Sequence, residues 1–170
     1  MKKKTATSLS KLPRPWNRVN LPVYSISSRN NEKQNMHIIT YATAVSMHPK
    51  RMLCAVYEGT QTLSNLLSSS TFILQLLAKE QYGLVRLLGK ESGKDTDKIA
   101  RLQRRKVPLE EWKGFTILAD CLAVMQLEIL QAFPGGDHTC FLCEVTSARN
   151  LRQGIPLTLD DLRAKKIIRI

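Results

Sequence analysis

Hydroxyl side chains cluster where residues 60–67 change from a loop into a predicted helix. Thr60, Thr62 and Ser64 follow Glu58-Gly59, and three leucines recur at helical spacing: Leu63, Leu66 and Leu67. A helix N-terminus presents unpaired amide N–H groups at the positive end of the helix dipole, so threonine hydroxyls there can help to hold a phosphate group. The pattern is also that of an ordinary threonine N-cap, and spacing alone favours this second interpretation.

Four cysteines raise the question of a metal or redox site. Cys140 and Cys143 have the C-x-x-C spacing that such sites use. Residues three apart on a strand point to opposite faces, however, and Cys54 and Cys121 stand alone in apolar segments, so there is no second pair. We therefore expect buried, reduced thiols and no metal site.

The elements that position the hydroxyls are predicted to be mostly strands. Residues 36–45 and 52–57 are rich in β-branched and aromatic residues, and Met47-His48-Pro49-Lys50 separates them. This indicates two antiparallel strands joined by a short connection. Further strands are predicted at residues 19–27, 72–77, 117–130 and 139–145. Turn residues at positions 133–137 join the last two strands into a hairpin that closes a mostly antiparallel sheet.

Three short helices are predicted beyond the one that begins near Thr60. The first covers residues 79–88 and ends at Gly89. The second follows a cap at Asp95 or Thr96 and carries Ile99 and Leu102. The last runs from Thr158 to residue 166, because an acidic residue stands three positions after the threonine cap. The predicted fold class is therefore mainly β (α+β) with a few short peripheral helices.

The length and composition indicate one globular domain. The chain has 170 residues, of which 43% are hydrophobic, and no apolar run approaches the roughly 18 residues of a membrane-spanning helix. Residues 1–18 contain Pro13 and Pro15 and little apolar periodicity, which predicts a flexible basic arm before a domain at residues 19–170. Trp16 could anchor this arm on the body or on a partner subunit. Because residues 5–18 lack an apolar signal-peptide core, we expect a cytoplasmic protein.

A formal net charge of +12 suggests anionic partners. The basic residues gather in two tails and one surface segment: residues 2–4, Arg101 with residues 104–106, and Lys165-Lys166 with Arg169. Aromatic residues make up only 6% of the chain and do not alternate with these clusters, as the stacking platforms of single-strand binders do. We therefore expect solvated faces rather than a specific nucleic-acid site.

A series of motifs follows in a recognisable order from residue 35 onward. Residues 35–43 with Val45-Ser46-Met47-His48-Pro49 resemble the Asn-Gly-Met-Thr-Ala-Ser-Trp-Val-Thr and Val-Ser-Phe-Asp-Pro pattern of the flavin reductase-like, FMN-binding split-barrel family. Thr60-Gln61-Thr62 resembles the family's Ser-x-Thr motif, and residues 70–77 resemble one of its strands. Asp97-Lys98, Gly136-Asp137-His138 and Glu144-Val145 follow in the family's order. The resemblance extends over residues 19–145.

The resemblance implies an antiparallel split β-barrel and a set of site residues. The FMN phosphate would lie near Thr60 and Thr62, with Lys98 as a candidate cation; from the residues alone, Lys98 could equally be a solvent-facing helix lysine. The flavin ring would pack on the backbone around three strand residues: Thr40, Tyr41 and Ala42. His138 would lie beside the substrate face of the flavin as a catalytic residue, although a histidine in a hairpin turn is more often simply exposed.

The resemblance implies one of two functions. The protein would be an enzyme, an NAD(P)H-dependent flavin reductase, or else a flavoredoxin-type electron carrier. The cofactor would be FMN, or alternatively FAD or an exchangeable flavin, at the subunit interface of a homodimer. Met36, Ile38 and Glu58 depart from the family pattern, so a split-barrel binding module without flavin chemistry stays open as an alternative. A basic β-barrel that binds nucleic acid is the third hypothesis.

Overall fold

The computed structural model describes residues 14–30 and 33–168, in which strands are the most common regular element. The strands are β1 (Tyr24–Arg29), β2 (Gln34–Ile39), β3 (Ala42–Ser46), β4 (Arg51–Tyr57), β5 (Thr71–Leu76), β6 (Leu109–Trp112), β7 (Phe115–Leu118), β8 (Ala123–Pro134) and β9 (His138–Asn150). The helices are α1 (Gln61–Leu67), α2 (Lys98–Arg104) and α3 (Leu159–Ala164). The predicted fold class is confirmed. Residues 1–13 of the predicted arm lie outside the described residues.

Seven strands form one antiparallel sheet, in the order β2-β1-β5-β8-β9-β4-β3. β2 and β3 lie at opposite ends of this order, although only Thr40 and Tyr41 separate them in the chain. The sheet must therefore curl until its two edges approach each other, which gives a barrel that is split at the β2–β3 crossover. This is the split-barrel architecture that the sequence resemblance implies.

The crossover also corrects one prediction. The hairpin of β3 and β4 is present, with Ala42 paired to Cys54 and Ser46 paired to Arg51. Residues 36–45 are not one strand, however, because the chain leaves the sheet at residues 40–41, and β2 pairs with β1 instead of β4. β-propensity is continuous through this segment, so propensity alone did not reveal the change of sheet edge.

β5 crosses the middle of the core and is buried on both faces. Ile73 packs into one apolar cluster with residues of the helical segments, while Phe72 and Leu74 pack into a second cluster together with Leu63 and Leu66 of α1. Complete burial of each such side chain contributes about 1.5–3 kcal/mol to folding. The packing of α1 on the barrel interior therefore fixes its first residues beside the end of β4.

The peripheral segments differ from the prediction in detail. Residues 79–88 do not form a regular α-helix but a 3-10 segment (Lys79–Leu84) and a wide π-helical turn (Arg86–Lys90). Gly83 and Gly89 weaken a regular helix here. The cap of α2 is Asp97, whose side chain accepts a hydrogen bond from the Ala100 N–H (2.9 Å), rather than Asp95 or Thr96. The predicted cap of α3 at Thr158 is confirmed.

The strand bounds also shift at both ends of the chain. The predicted strand at residues 19–27 is observed as β1, which begins at Tyr24, and the apolar stretch at residues 117–130 is divided between β7 and β8 by a turn. The predicted β8–β9 hairpin is present, and Gly136 in its turn has φ +94°, a conformation that favours glycine. Within residues 14–30 and 33–168, no helix combines the length and the apolar character needed to cross a membrane.

Candidate functional site

Two adjoining cavities lie along β2, at the crossover where the barrel is split. The first, which we call the loop cavity, has a volume of about 370 Å³ and is lined by Asn35, His37, residues 57–61 and residues 89–93. The second, the strand cavity, has a volume of about 310 Å³ and is lined by residues 37–41, Ala55, Tyr57 and His138. Because His37 and Tyr57 line both cavities, the two adjoin each other, and we call them together the crevice.

Thr60 lies in the wall of the loop cavity and caps α1, as predicted. Its hydroxyl accepts a hydrogen bond from the Leu63 N–H (3.1 Å) and donates one to the Tyr57 carbonyl (3.0 Å). The cap therefore ties the start of α1 to the end of β4. An anion in the loop cavity would compete with the Tyr57 carbonyl for the hydroxyl proton.

Thr62 lies behind the wall of the loop cavity. Its side chain is buried, and its hydroxyl oxygen accepts a hydrogen bond from the Asn35 amide (2.9 Å). Asn35 itself lines the cavity and packs against the backbone of Gly93, where a Cβ atom would lie only 2.8 Å from the Asn35 Cγ atom. In this structure Thr62 thus supports Asn35, and Asn35 faces the cavity.

Glu58 and Glu91 bring two carboxylates to the loop cavity, and both are held by other residues. The Thr139 hydroxyl donates to Glu58 Oε1 (2.6 Å), and the Glu58 N–H donates to the Asp137 carbonyl (3.0 Å). Glu91 forms an ion pair with Arg101. The Arg101 charge thus partly neutralises Glu91, whereas Glu58 keeps its charge and its carboxylate is directed toward β9.

Lys98 is buried, with an exposed fraction of only 2%, so the solvent-facing alternative is wrong. Its ammonium group donates to the Leu88 carbonyl (2.7 Å), which belongs to the π-helical turn. Burial lowers the pKa of Lys98 from 10.5 to about 8, while the charge of Glu91 acts in the opposite direction. Lys98 is therefore not among the residues that line the crevice, and its phosphate role stays a prediction.

His37 lines both cavities. Burial is the main cause that lowers its pKa from 6.5 to about 4, and the positive charge of Lys98 lowers it further. A hydrogen bond to the Leu88 backbone acts in the opposite direction. His37 is therefore a neutral imidazole at pH 7.

The residues predicted to hold a ring lie at the crossover. Thr40 and Tyr41 line the strand cavity, whereas Ala42 begins β3 and packs against the barrel core. The Tyr41 carbonyl accepts a hydrogen bond from the Ala55 N–H (2.8 Å), which fixes the crossover against β4. The structure thus brings Thr40 and Tyr41 to one wall and leaves Ala42 just beyond it.

His138 also lines the strand cavity, opposite the crossover. It begins β9, where it pairs with Tyr57 of β4, and its ring makes edge contacts with Tyr41 and Tyr57 at centroid distances of 5.3 and 5.2 Å. Its Nδ1 atom lies 2.6 Å from Asp137 Oδ1. A carboxylate can only accept a hydrogen bond, so Nδ1 carries a proton and donates it to Asp137. Nε2 takes no part in this bond. The alternative of a simply exposed turn histidine is wrong.

Several residues of the crevice were not predicted as site residues. Asn35, His37, Tyr57 and Gln61 line it. On β2, polar Asn35 and His37 alternate with Met36, which is buried in the core, so a period-two pattern was the available signal. The departure from the family pattern at Met36 therefore faces the core and does not obstruct the crevice.

The cysteines are mostly buried, as expected. All four are unpaired thiols; Cys54, Cys121 and Cys143 are buried, but Cys140 is only half-buried. Burial raises the pKa of Cys121 and of Cys143 to about 12. In the described part of the chain, no three His, Cys, Asp or Glu side chains lie together as a metal site.

Comparison with known proteins places this chain in a family. A family model described as "Flavin reductase like domain" matches residues 16–166. The high molecular weight rubredoxin of Moorella thermoacetica is 26% identical over 138 residues, which are 80% of this chain and 58% of that relative. The chain therefore spans less than two thirds of that relative's length.

Solved structures share the fold. The NADH:FAD oxidoreductase of Streptomyces globisporus C-1027 superposes with a TM-score of 0.74 at 21% identity, covering 87% of this chain and 91% of that one. An FMN-binding protein from Thermus thermophilus with bound 1-cyclohex-2-enone gives a TM-score of 0.71 at 24% identity, covering 88% and 80%. The family match agrees with the resemblance that the sequence motifs show. The chain belongs to the flavin reductase-like family.

Proposed function

We propose that the crevice binds FMN, with its phosphate in the loop cavity and its ring in the strand cavity, and that the protein is an NAD(P)H-dependent oxidoreductase. One observation carries the proposal. Thr60 and His138, predicted for opposite ends of the cofactor, lie in two cavities that share His37 and Tyr57. The two cavities therefore adjoin each other between the helix cap and the catalytic candidate.

The donor groups of the loop cavity suit a phosphate. Thr60 and Ser92 offer hydroxyls, Gln61 offers an amide, and Lys90 offers a positive charge. Glu58, the carboxylate that most opposes a phosphate there, accepts from Thr139 instead. The residues present therefore fit the phosphate end of the cofactor.

The strand cavity suits a flat ring with one polar group nearby. The crossover backbone at Thr40 and Tyr41 offers peptide groups, and the rings of Tyr41 and Tyr57 enclose His138. A bound flavin supplies the redox chemistry, taking up and passing on electrons. Asp137 orients the His138 imidazole so that Nε2 is left to accept a hydrogen bond or a proton at the cavity.

The experiment compares FMN with riboflavin, which lacks the phosphate. Thr60→Ala should weaken FMN binding about tenfold and riboflavin binding much less, because a hydrogen bond to a charged group contributes about 1.5–3 kcal/mol. Thr158→Ala is the matched control, since it also removes a threonine N-cap but lies at α3. Thr62→Ala tests the indirect route through Asn35. Equal losses of FMN and riboflavin in Thr60→Ala would show that Thr60 does not hold the phosphate.

We also propose that the protein is a homodimer with the flavin at the interface. Exposed large apolar side chains support this: Tyr41 is 55% exposed and Tyr57 53% beside the crevice, and Met47 is 90% exposed in the turn between β3 and β4. Trp16 is 71% exposed, so it does not anchor the arm on the described body and remains free for a partner subunit. Sedimentation of Met47→Lys should show dissociation at concentrations where the original chain is dimeric; a monomeric original chain would refute the proposal.

A further inference from the structure

A third and larger cavity adjoins the crevice. Its volume is about 730 Å³, and we call it the helix cavity because α3 and the π-helical turn form much of its wall. It shares Ile38 and Thr40 with the strand cavity, and Gly89 and Lys90 with the loop cavity. A molecule in the helix cavity would thus lie alongside both ends of the proposed flavin site.

The floor of the helix cavity is apolar. Val85 and Leu162 are buried beneath it, and Ile167 and Ile168 fold back over it after α3. The chain reverses at Lys166, which has φ +55°, and the Ile167 N–H bonds to the Leu162 carbonyl (2.9 Å). The cavity therefore offers the apolar contact area that a compact ring or short hydrocarbon body would bury.

Three cations lie around this floor: Arg86, Lys90 and Lys166. All three are exposed, and within residues 14–30 and 33–168 none of them forms an ion pair with a carboxylate. No Asp or Glu from that part of the chain lines the cavity, whereas the loop cavity contains two glutamates. The charged side chains that line the helix cavity in the described part of the chain are therefore all cations.

We propose that the helix cavity binds a small organic anion, an apolar ring or chain that carries a carboxylate, as the second substrate of the protein. The apolar floor holds the body, and Arg86 and Lys166 hold the anionic group. The assignment as a substrate site rests on the proposed flavin site, because the two share Ile38 and Thr40. The binding of the anion itself does not depend on the flavin.

Titration calorimetry with naphthoate and its neutral counterpart naphthamide tests this, on the full chain with and without FMN. Naphthoate should bind at least about tenfold more tightly than naphthamide at low salt. The double variant Arg86→Gln/Lys166→Gly should lose about tenfold in naphthoate affinity and leave naphthamide unchanged, as expected for two partly exposed charges. Lys90 is left in place because it also lines the proposed FMN site.

Matched controls come from the chain itself. Lys113 is also an exposed lysine at positive φ (53°), so Lys113→Gly removes the same charge and the same backbone strain away from the cavity. Arg104→Gln is the control for the loss of an exposed arginine. Both controls should bind naphthoate as the original chain does. Lys166→Gly should fold well, since glycine adopts this backbone conformation more readily than lysine.

Several results would overturn the proposal. Equal affinities for naphthoate and naphthamide would show that the cavity does not select an anion. An unchanged anion preference in the double variant would show that Arg86 and Lys166 do not hold the anionic group. Binding of nicotinamide dinucleotides without any binding of naphthoate would assign the cavity to the electron donor. A change of sedimentation in the double variant without a change of naphthoate affinity would assign it to a second copy of the chain. FMN titration of the same samples separates failure of the flavin site from failure of this one.

Discussion

Lys98→Met tests how much the burial of a charged lysine lowers the stability of the fold. Lys98 is 2% exposed, and its pKa falls from 10.5 to about 8 mainly because of burial. At about 1.4 kcal/mol per pH unit, folding pays about 3 kcal/mol to keep this lysine charged at pH 7. Methionine has a similar length and no charge, so the variant removes that cost. The Leu88 carbonyl keeps its hydrogen bond with His37.

The direction in which stability changes with pH follows from proton binding to Lys98. Between about pH 8 and pH 10.5 the unfolded chain keeps the Lys98 proton and the folded chain has released it, so the stability of the original chain rises with pH in this window. Lys98→Met lacks this rise. The difference in the free energy of unfolding between the two proteins should therefore change by about 2.5 kcal/mol from pH 7 to pH 10. Other titrating groups are common to both proteins and cancel in the difference.

Urea unfolding at several pH values measures this difference. Lys94→Met, the loss of an exposed lysine in the neighbouring loop, controls for the change of net charge. A difference curve for Lys98→Met that stays flat from pH 7 to pH 10 would refute the burial of a charged lysine at this position. FMN and riboflavin titrations of the same variant test the predicted phosphate role: selective loss of FMN affinity would support it, and equal affinities would make Lys98 a structural residue.

Two further predictions concern the walls of the crevice. Gly93→Ala would place a Cβ 2.8 Å from Asn35 Cγ, so the Asn35–Thr62 hydrogen bond should break at a cost of about 1–3 kcal/mol, with weaker FMN binding. Gly83→Ala, whose Cβ would have no atom within 4 Å, is the control, and equal melting temperatures of the two variants would contradict the packing. The pKa of His37 is lowered to about 4, so the unfolded chain alone takes up its proton as pH falls from about 6.5, and up to about 3 kcal/mol of stability should be lost by pH 4. His37→Gln should flatten this acid limb of the stability curve; acid limbs of equal slope would contradict the buried imidazole.

The local features of the fold followed well from the sequence. The threonine caps at Thr60 and Thr158 and the hairpin turn at Gly136 depend on neighbours within four residues, so their signals are complete in short segments. The crossover at residues 40–41 did not follow in this way. It depends on which edges of a curled sheet meet, and β-propensity does not record that choice.

The site was predicted less completely for a similar reason. Thr60, Tyr41 and His138 were named from motifs, and the structure brings them to one crevice. Asn35 and His37 were not named, because their role depends on residues 89–93, which reach β2 only through tertiary packing. The burial of Lys98 likewise depends on the carbonyl of Leu88, ten residues earlier in the chain, presented by an irregular turn that no propensity predicts.

Equilibrium dialysis of the full chain against FMN, followed by visible flavin absorbance, tests the central claim most directly. We expect the protein to retain about one FMN per chain, with the ring at the Tyr41–His138 end of the crevice and the phosphate at the Thr60 end. The absorbance maximum and the fluorescence of bound FMN should differ between His138→Ala and the original chain, because the imidazole borders the proposed ring position. A colourless protein that takes up no FMN would contradict the account and favour a split barrel without flavin chemistry.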